Sequence, residues 1–290
     1  MSTGGGPVGR GSQSDTDAAL LEVAVDAARM AGALLLERVR AGAESEVSSK
    51  STPTDLVSVA DTTSEQAIRE LLARRRPEDG FLGEEGGSSE GSSGLEWVVD
   101  PLDGTVNVLF GIPQWAVSVA VRDEHTMRAG AVYDPNRDEL FTATASGPAI
   151  LCDARGEHQL DGPGVARERR GNAQDSQADP LARAMVATGL AYDAEVRAAQ
   201  AQVLARLAPR VRDIRRFGSA ALDLAWTAAG RYDAYYERTV KDWDIAAGVL
   251  ICERAGLLTR ALRERPGLPW GILAAPAELI EPLLELVDGS

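Results

Sequence analysis

Cysteine and histidine are nearly missing: 290 residues contain two of each. Cys152 and Cys252 cannot build a disulfide framework or a thiolate cluster, and His125 and His158 are too few to hold a zinc ion. Cys252, beside the apolar run Val249-Leu250-Ile251, reads as a small core residue, and both histidines read as solvated loop residues. The expected setting is a reducing cytoplasm. Long apolar runs are missing too. None approaches the ~20 residues that span a bilayer, and Met1 to Ser14 lack the basic and apolar blocks of a signal peptide. No membrane partner is expected. Positive charge is scarce, with 30 Lys and Arg against 44 Asp and Glu, a net charge of −14. A nucleic-acid partner needs a basic footprint, so the charge argues against that class and none is expected. An acidic protein that handles an anion must gather positive charge locally, and a bound cation does so.

What the chain does have is enough apolar residue, 44%, for a full core. Its length suits one large domain or two halves sharing an interface. Residues 1–14, rich in Gly and Ser, read as a disordered tail. From Asp15 to Arg40, Leu20, Ala24, Ala28, Ala31 and Leu35 recur at helical spacing, and a second helix runs from about Asp61 to Arg76 until Pro77 stops it. Strands are expected at Leu95 to Val99, Trp115 to Val121, Ala129 to Tyr133 and Glu139 to Thr144, with a turn at Asp134-Pro135-Asn136. Residues 15–154 therefore form a first half of helices against a mainly antiparallel sheet. Residues 155–180 lack any period and read as an exposed connection. From Leu181 to Ser290, strands and helices alternate, the pattern of an α/β layer. The expected strands are Ala184 to Thr188, Val211 to Phe217, Tyr232 to Tyr236 and Trp270 to Ala274. The helices are Asp193 to Leu207, Ala220 to Ala229, Asp242 to Ala255 and Pro276 to Val287. The fold class is α/β in this second half and α+β in the first.

Four acidic segments interrupt this pattern. In Trp97-Val98-Val99-Asp100-Pro101-Leu102-Asp103-Gly104-Thr105-Val106-Asn107 an apolar strand ends in two acids, a glycine and a hydroxyl. Phe81-Leu82-Gly83-Glu84-Glu85-Gly86 is a second strand end closing on acids. Asp61 opens a helix after Thr54-Asp55-Leu56-Val57, and Asp244 sits in Trp243-Asp244-Ile245-Ala246-Ala247-Gly248, where small residues allow close packing. Asp, Pro and Gly also make ordinary turns. If the acids converge, however, like charges ~4 Å apart repel by about 4 kcal/mol at an effective dielectric of ~20, so they need protons or a cation. All-oxygen ligands favour a hard cation such as magnesium.

These segments, in this order, resemble the magnesium-dependent, lithium-sensitive inositol monophosphatase family, whose signature is Asp-Pro-x-Asp-Gly-Thr with a distant Trp-Asp-x-Ala-Ala-Gly. The resemblance covers about Ala18 to Val287. It implies a layered α/β/α/β/α sandwich with the active site where the halves meet, a likeness to the bacterial inositol-1-monophosphatase branch, and a homodimer. It assigns Glu84, Asp100, the Leu102 carbonyl, Asp103 and Asp244 to two or three magnesium ions, with Asp100 bridging. Thr105, held by Asp61, orients the attacking water together with Glu84. Asp103, Gly104, Thr105, Ala220, Glu237 and Asp244 face the substrate. The implied reaction is hydrolysis of a small phosphate ester, foremost myo-inositol 1-phosphate. Fructose 1,6-bisphosphate, histidinol phosphate and adenosine 3′,5′-bisphosphate are the alternatives, and a non-catalytic regulator is the other class.

Several positions have a second reading. Asp61 suits a helix N-cap as well as a partner for Thr105. Glu237 suits a solvated strand end, Glu85 competes with Glu84, and Lys50 and Asp55 fit the early pattern, with Lys50 read as an exposed lysine ahead of a neighbour of the phosphate or a metal-bound water. For Asp244 capping is the weaker reading, because Trp243 and the small residues beyond have no part in it. Val106 carries no charge for a second phosphate. After Asn107, Val108-Leu109 precede Phe110 where many members place an aromatic at once. Leu257-Leu258-Thr259-Arg260 replaces a glycine-rich turn, with no functional account.

Overall fold

In a computed structural model, residues 10–41, 47–49, 56–164 and 179–289 are described. Lys50, Asp55 and residues 165–178 of the expected connection lie outside them.

The first helix, α1 (Arg10–Arg40), starts five residues before the expected Asp15, since no proline or apolar demand interrupts the polar run ahead of it. A short hairpin of β1 (Val47–Ser49) and β2 (Leu56–Ser58) leads into α2 (Val59–Arg75). Eight strands then form one sheet: β3 (Gly80–Gly83), β4 (Gly87–Ser89), β5 (Glu96–Asp103), β6 (Ala116–Arg122), β7 (Met127–Asp134), β8 (Glu139–Thr144), β9 (Ile150–Asp153) and β10 (Gly156–Gln159), in the order β10-β9-β8-β7-β6-β5-β3-β4. Every pairing is antiparallel except β3 with β5. Between β5 and β6 lies the short helix α3 (Thr105–Leu109).

Period-2 alternation divides this sheet's side chains between two cores. Trp97, Val99, Val117, Val119 and Val121 pack under α1 and α2 with Leu20, Ala24, Leu35 and Ile68. Val98, Ala116, Ala120 and Val132 face the opposite way, into the centre of the molecule.

The second sheet has five strands: β11 (Met185–Thr188), β12 (Asp213–Arg215), β13 (Ala234–Arg238), β14 (Leu258–Leu262) and β15 (Gly271–Ala275), ordered β12-β11-β13-β15-β14. The pairs around β11 are parallel and those around β15 antiparallel. The second-half helices are α4 (Pro180–Arg183), α5 (Ala194–Leu207), α6 (Ala220–Ala228), α7 (Asp242–Arg254) and α8 (Ala277–Asp288). Leu222, Leu224, Ile251 and Cys252 place α6 and α7 between the sheets. Val203, Leu207, Leu279 and Leu283 place α5 and α8 on the outer face of the second sheet. The result is the expected α/β/α/β/α sandwich.

The Ala246-Ala247-Gly248 run is explained by this central layer. A Cβ on Gly130 of β7 would stand 2.9 Å from Ala247 Cα, and one on Gly248 would stand 2.7 Å from Leu224 Cβ. Larger residues would push α7 off both neighbours.

Three sequence readings need correction. β5 does not stop at Val99 but runs through Pro101 to Asp103. Its register with β6 shifts between Asp100↔Ser118 and Asp103↔Ala116, so one extra residue is accommodated as a bulge that spares proline a ladder bond. The connection expected from residue 155 instead begins with β10, paired to β9. Leu258–Leu262, which replaces the glycine-rich turn, is the edge strand β14, and Thr259 Oγ1 donates to Glu253 Oε1 at 2.6 Å.

Candidate active site

The bulge in β5 turns the chain so that Asp100, Leu102 and Asp103 arrive at one end of the large sheet. Gly104 completes the turn with φ +104°, a left-handed conformation that disfavours any Cβ, and a Cβ there would also meet Gln114 O at 2.9 Å. Thr105 then opens α3. The β3–β4 turn brings Glu84 from the neighbouring strand. From the other half come Ala220 at the start of α6, Glu237 in β13 and Asp244 in the first turn of α7. All of these side chains, with the Leu102 carbonyl's residue and Gly104, line one cavity of about 390 Å³ between the halves. Asp61 does not line it. It lies fully buried behind Thr105, where Oδ1 accepts the Thr105 hydroxyl at 2.7 Å; the Leu102 carbonyl is 3.2 Å from the same hydroxyl.

The acids are held by neutral donors. Leu102 N–H donates to Asp100 Oδ1 at 2.9 Å. Asp103 Oδ2 accepts from Ser219 Oγ at 2.6 Å and Ala221 N–H at 2.7 Å. Asp244 Oδ2 accepts from Lys241 N–H at 2.6 Å, so the capping role that the sequence made the weaker reading is real and coexists with a place on the cavity wall. Burial, then the charges of Glu84, Asp103 and Asp244, hold Asp100 well above the usual carboxylate range. Burial pushes Asp103 up to about 6 against the Ser219 hydrogen bond, and burial with Asp103 raises Asp244 strongly.

This is the donor set that suits a hard cation: carboxylates and a carbonyl, no sulfur or imidazole, and a local excess of negative charge. Among the described residues, no three Asp, Glu, His or Cys side chains already stand in closed metal-ligating geometry. The residues fit magnesium chemically.

Glu237 is not a solvated strand end. It is half-buried, Oε2 accepts the Tyr235 hydroxyl at 2.9 Å, and its carboxyl occupies space that a Cβ on Gly189 would need, within 1.9 Å. Burial pushes it up to about 7. Ala220 leaves the adjoining wall low. Of the two neighbouring glutamates, Glu84 lines the cavity, whereas Glu85 turns its N–H to Glu65.

Sequence reasoning missed Tyr192, Arg216 and Lys241 on the cavity wall, and Glu65, whose carboxylate carries the turn bearing Glu84. Arg216 and Lys241 each adjoin a recognised segment, but neither carries a spacing signal. Glu65 is four residues past Asp61, on the same helical face, which is a signal that could have been followed.

A profile of the inositol monophosphatase family matches residues 17–288. The inositol-1-monophosphatase SuhB of Mycobacterium tuberculosis is 42% identical over 254 residues, covering 84% of this chain and 82% of the relative. The Nus factor SuhB of Pasteurella multocida is 38% identical over 239 residues, 82% of this chain and 83% of the relative. The crystal structure of extragenic suppressor protein suhB from Bartonella henselae superposes with a TM-score of 0.81 at 32% identity, over 94% of this chain and 99% of that one. A fold that gathers the signature acids of β5 and α7 into one cavity, a profile match spanning nearly the whole chain and relatives of this identity together make the chain a member of the inositol monophosphatase family.

Proposed function

We propose that this protein is a magnesium-dependent phosphomonoesterase acting on a small polyol phosphate, foremost myo-inositol 1-phosphate. The observation that carries the reading is the convergence of Asp100, Asp103 and Asp244 in one cavity with Glu84, beside a Thr105 hydroxyl committed to Asp61. Glu84, Asp100, the Leu102 carbonyl, Asp103 and Asp244 hold two or three magnesium ions. Magnesium, when bound, supplies the positive charge that a phosphate dianion and a departing alkoxide need, and acidifies water.

The chain's own residues do the rest. Because Thr105 donates its proton to Asp61, its oxygen lone pair is left to accept from the attacking water, which Glu84 orients from the other side. Gly104 and Thr105 offer backbone N–H groups to the phosphate at the turn. Glu237 accepts from ring hydroxyls and Ala220 leaves room for the ring. Val106 gives no charge for a second phosphate or an imidazolium.

Two features of the assembly belong to the same reading. Phe110 and Ile112 are 74% and 48% exposed, and Asn107 links them to Phe217, accepting Ile112 N–H at 2.7 Å and donating to Phe217 O at 2.7 Å. This apolar patch suits a homodimer, which light scattering after gel filtration tests. Two unpaired cysteines suit a reducing cytoplasm.

The test is a panel of myo-inositol 1-phosphate, fructose 1,6-bisphosphate, histidinol phosphate and adenosine 3′,5′-bisphosphate, assayed with magnesium, with chelator and with lithium. Inositol phosphate is expected to give the highest kcat/KM, with activity abolished by chelator and inhibited by millimolar lithium. Glu237→Gln narrows the preference by about 1 to 3 kcal/mol. A tenfold preference for another ester overturns the substrate, and full activity in excess chelator overturns the metal. A regulatory role is the second reading, favoured by relatives that bear the name Nus factor. Absence of turnover across the whole panel supports it.

A further inference from the structure

The β3–β4 turn is wrapped around a carboxylate that does not line the cavity. Glu65 of α2 is 2% exposed. Its Oε2 accepts Glu85 N–H at 2.8 Å, and its Oε1 accepts Gly86 N–H at 2.7 Å and Arg69 Nε at 3.0 Å. Two successive backbone N–H groups pointing at one anion form a small nest. The glycines of Gly83-Glu84-Glu85-Gly86 make room for it, because a Cβ on Gly83 or on Gly86 would stand 2.5 Å from a Glu65 oxygen. Arg69 closes the arrangement from outside. Its Nη2 donates to Gly87 O at 2.9 Å, and its guanidinium carbon lies 3.8 Å from the centre of the Phe81 ring.

The same helical turn reaches the other loops of the site. Asp61 accepts from Thr105, and Ser64 Oγ donates to Pro101 O at 3.1 Å beside the bulge. Residues at i, i+3 and i+4 share a helix face, so one rigid turn of α2 references three segments of the cavity wall: Thr105, the Asp100–Asp103 bulge and the Glu84 turn. Glu65 is the member whose partners flank Glu84 directly.

We propose that Glu65 is a positioning residue, setting where Glu84 stands relative to Asp100 and thereby the magnesium affinity of the cavity. The inference rests on Glu84 being a magnesium ligand. A merely structural Glu65 stabilises the β3–β4 hairpin and leaves metal affinity alone, so the deciding readout is binding rather than turnover.

The experiment is calorimetric titration of the metal-free full chain with magnesium chloride alone, with metal-free melting temperatures recorded in parallel. Glu65→Gln keeps the side chain's size but turns an NH2 group toward one of the two N–H donors, so the turn must shift. Gly86→Ala moves the same turn from the other side, with Glu65 intact and, φ at this position not being left-handed, without backbone strain. Both are expected to weaken magnesium binding by about 10- to 100-fold, the usual effect of residues that orient a ligand. Glu84→Gln is the reference. If Glu84→Gln weakens binding while folded Glu65→Gln and Gly86→Ala bind like the parent, the inference is overturned and the reading of Glu84 stands. If Glu84→Gln itself leaves affinity unchanged, both fall. Lowered melting temperatures with unchanged affinity also overturn the positioning role.

Discussion

The buried aspartates of the rim and those of the cleft between the halves differ in their partners: the first are paired with arginine and the second are not. At the rim, Asp17 meets Arg128, Asp134 lies 2.7 Å from Arg137, and Asp288 lies 2.8 Å from Arg238, itself 1% exposed. Burial raises Asp134 even beside Arg137, whereas the Asp79 side chain, covered beside Arg76, is held below the usual range because hydrogen bonds from Arg76, Ser93 and Trp97 outweigh burial. In the cleft, Asp100, Asp103, Asp244 and Glu237 form no ion pair among the described residues, and burial drives all four upward. Arg216 and Lys241 line the same cavity, yet among the described residues neither forms an ion pair with any of these four acids. The rim aspartates are thus neutralised in pairs, whereas the cleft acids keep a local excess of negative charge, which the proposed function assigns to a cation.

The sharpest way to break this comparison is one substitution made in both places. Asp100→Asn should reduce magnesium-dependent turnover by about three orders of magnitude or more, while raising the metal-free melting temperature, because a repelling charge is removed. A near-normal kcat at saturating magnesium, or a drop in metal-free stability, removes Asp100 from the cleft class. Thr105→Ala should lower kcat by roughly 10² to 10⁴ with magnesium affinity little changed, the scale of losing a proton-handling group. An unchanged kcat with a large loss of stability makes the Thr105–Asp61 pair a structural one.

At the rim the same Asp→Asn change should have the opposite sign. Asp288→Asn leaves Arg238 buried without its counter-charge, which costs about 3 to 5 kcal/mol, read as a lower denaturation midpoint. If Asp288→Asn is neutral, the pairing carries no stability and the contrast fails.

The smallest effect is that of pH on the metal-free protein. Glu237 has an ordinary value of 4.5 and sits at about 7 in the fold, so the folded state binds its proton more tightly than the unfolded chain. The resulting stability is fully present below about pH 4.5 and is lost as pH rises through 7. Asp103, at about 6, adds a contribution of the same sign. At ~1.4 kcal/mol per unit, and allowing for partial exposure, Glu237 contributes on the order of 2 kcal/mol. Urea denaturation at pH 6 and pH 8 in chelator should show the protein less stable at pH 8, and Glu237→Gln should flatten the difference. Equal stability at both values places Glu237 with the rim acids.

Much of this was legible in the chain. The Asp-Pro-Leu-Asp-Gly-Thr turn follows an apolar strand as expected, and Glu84, Thr105, Ala220, Glu237 and Asp244 line one cavity although they are spread over 160 residues. The second half's strands and helices follow the expected alternation except for the short helix α4 ahead of β11 and the extra strand β14 before β15, because the longer elements carry their own period. The readings that missed were long-range or non-periodic. β9, β10 and β14 are short, and β10 and β14 lie at sheet edges, with little alternation to mark them. Pro101 reads locally as a strand end, yet a bulge absorbs it.

The sequence by itself determined the types and order of the acids that meet in the cavity, since these are written in the chain, and it determined the layers, since hydrophobic period is local. Only the tertiary structure decided what those acids experience. Desolvation and mutual repulsion depend on distance across elements up to 160 residues apart, as do the Thr105–Asp61 bond and the Glu65 nest beneath Glu84. Hydrogen bonds and Coulomb forces act through space, and the chain brings their partners together only after its cores have closed.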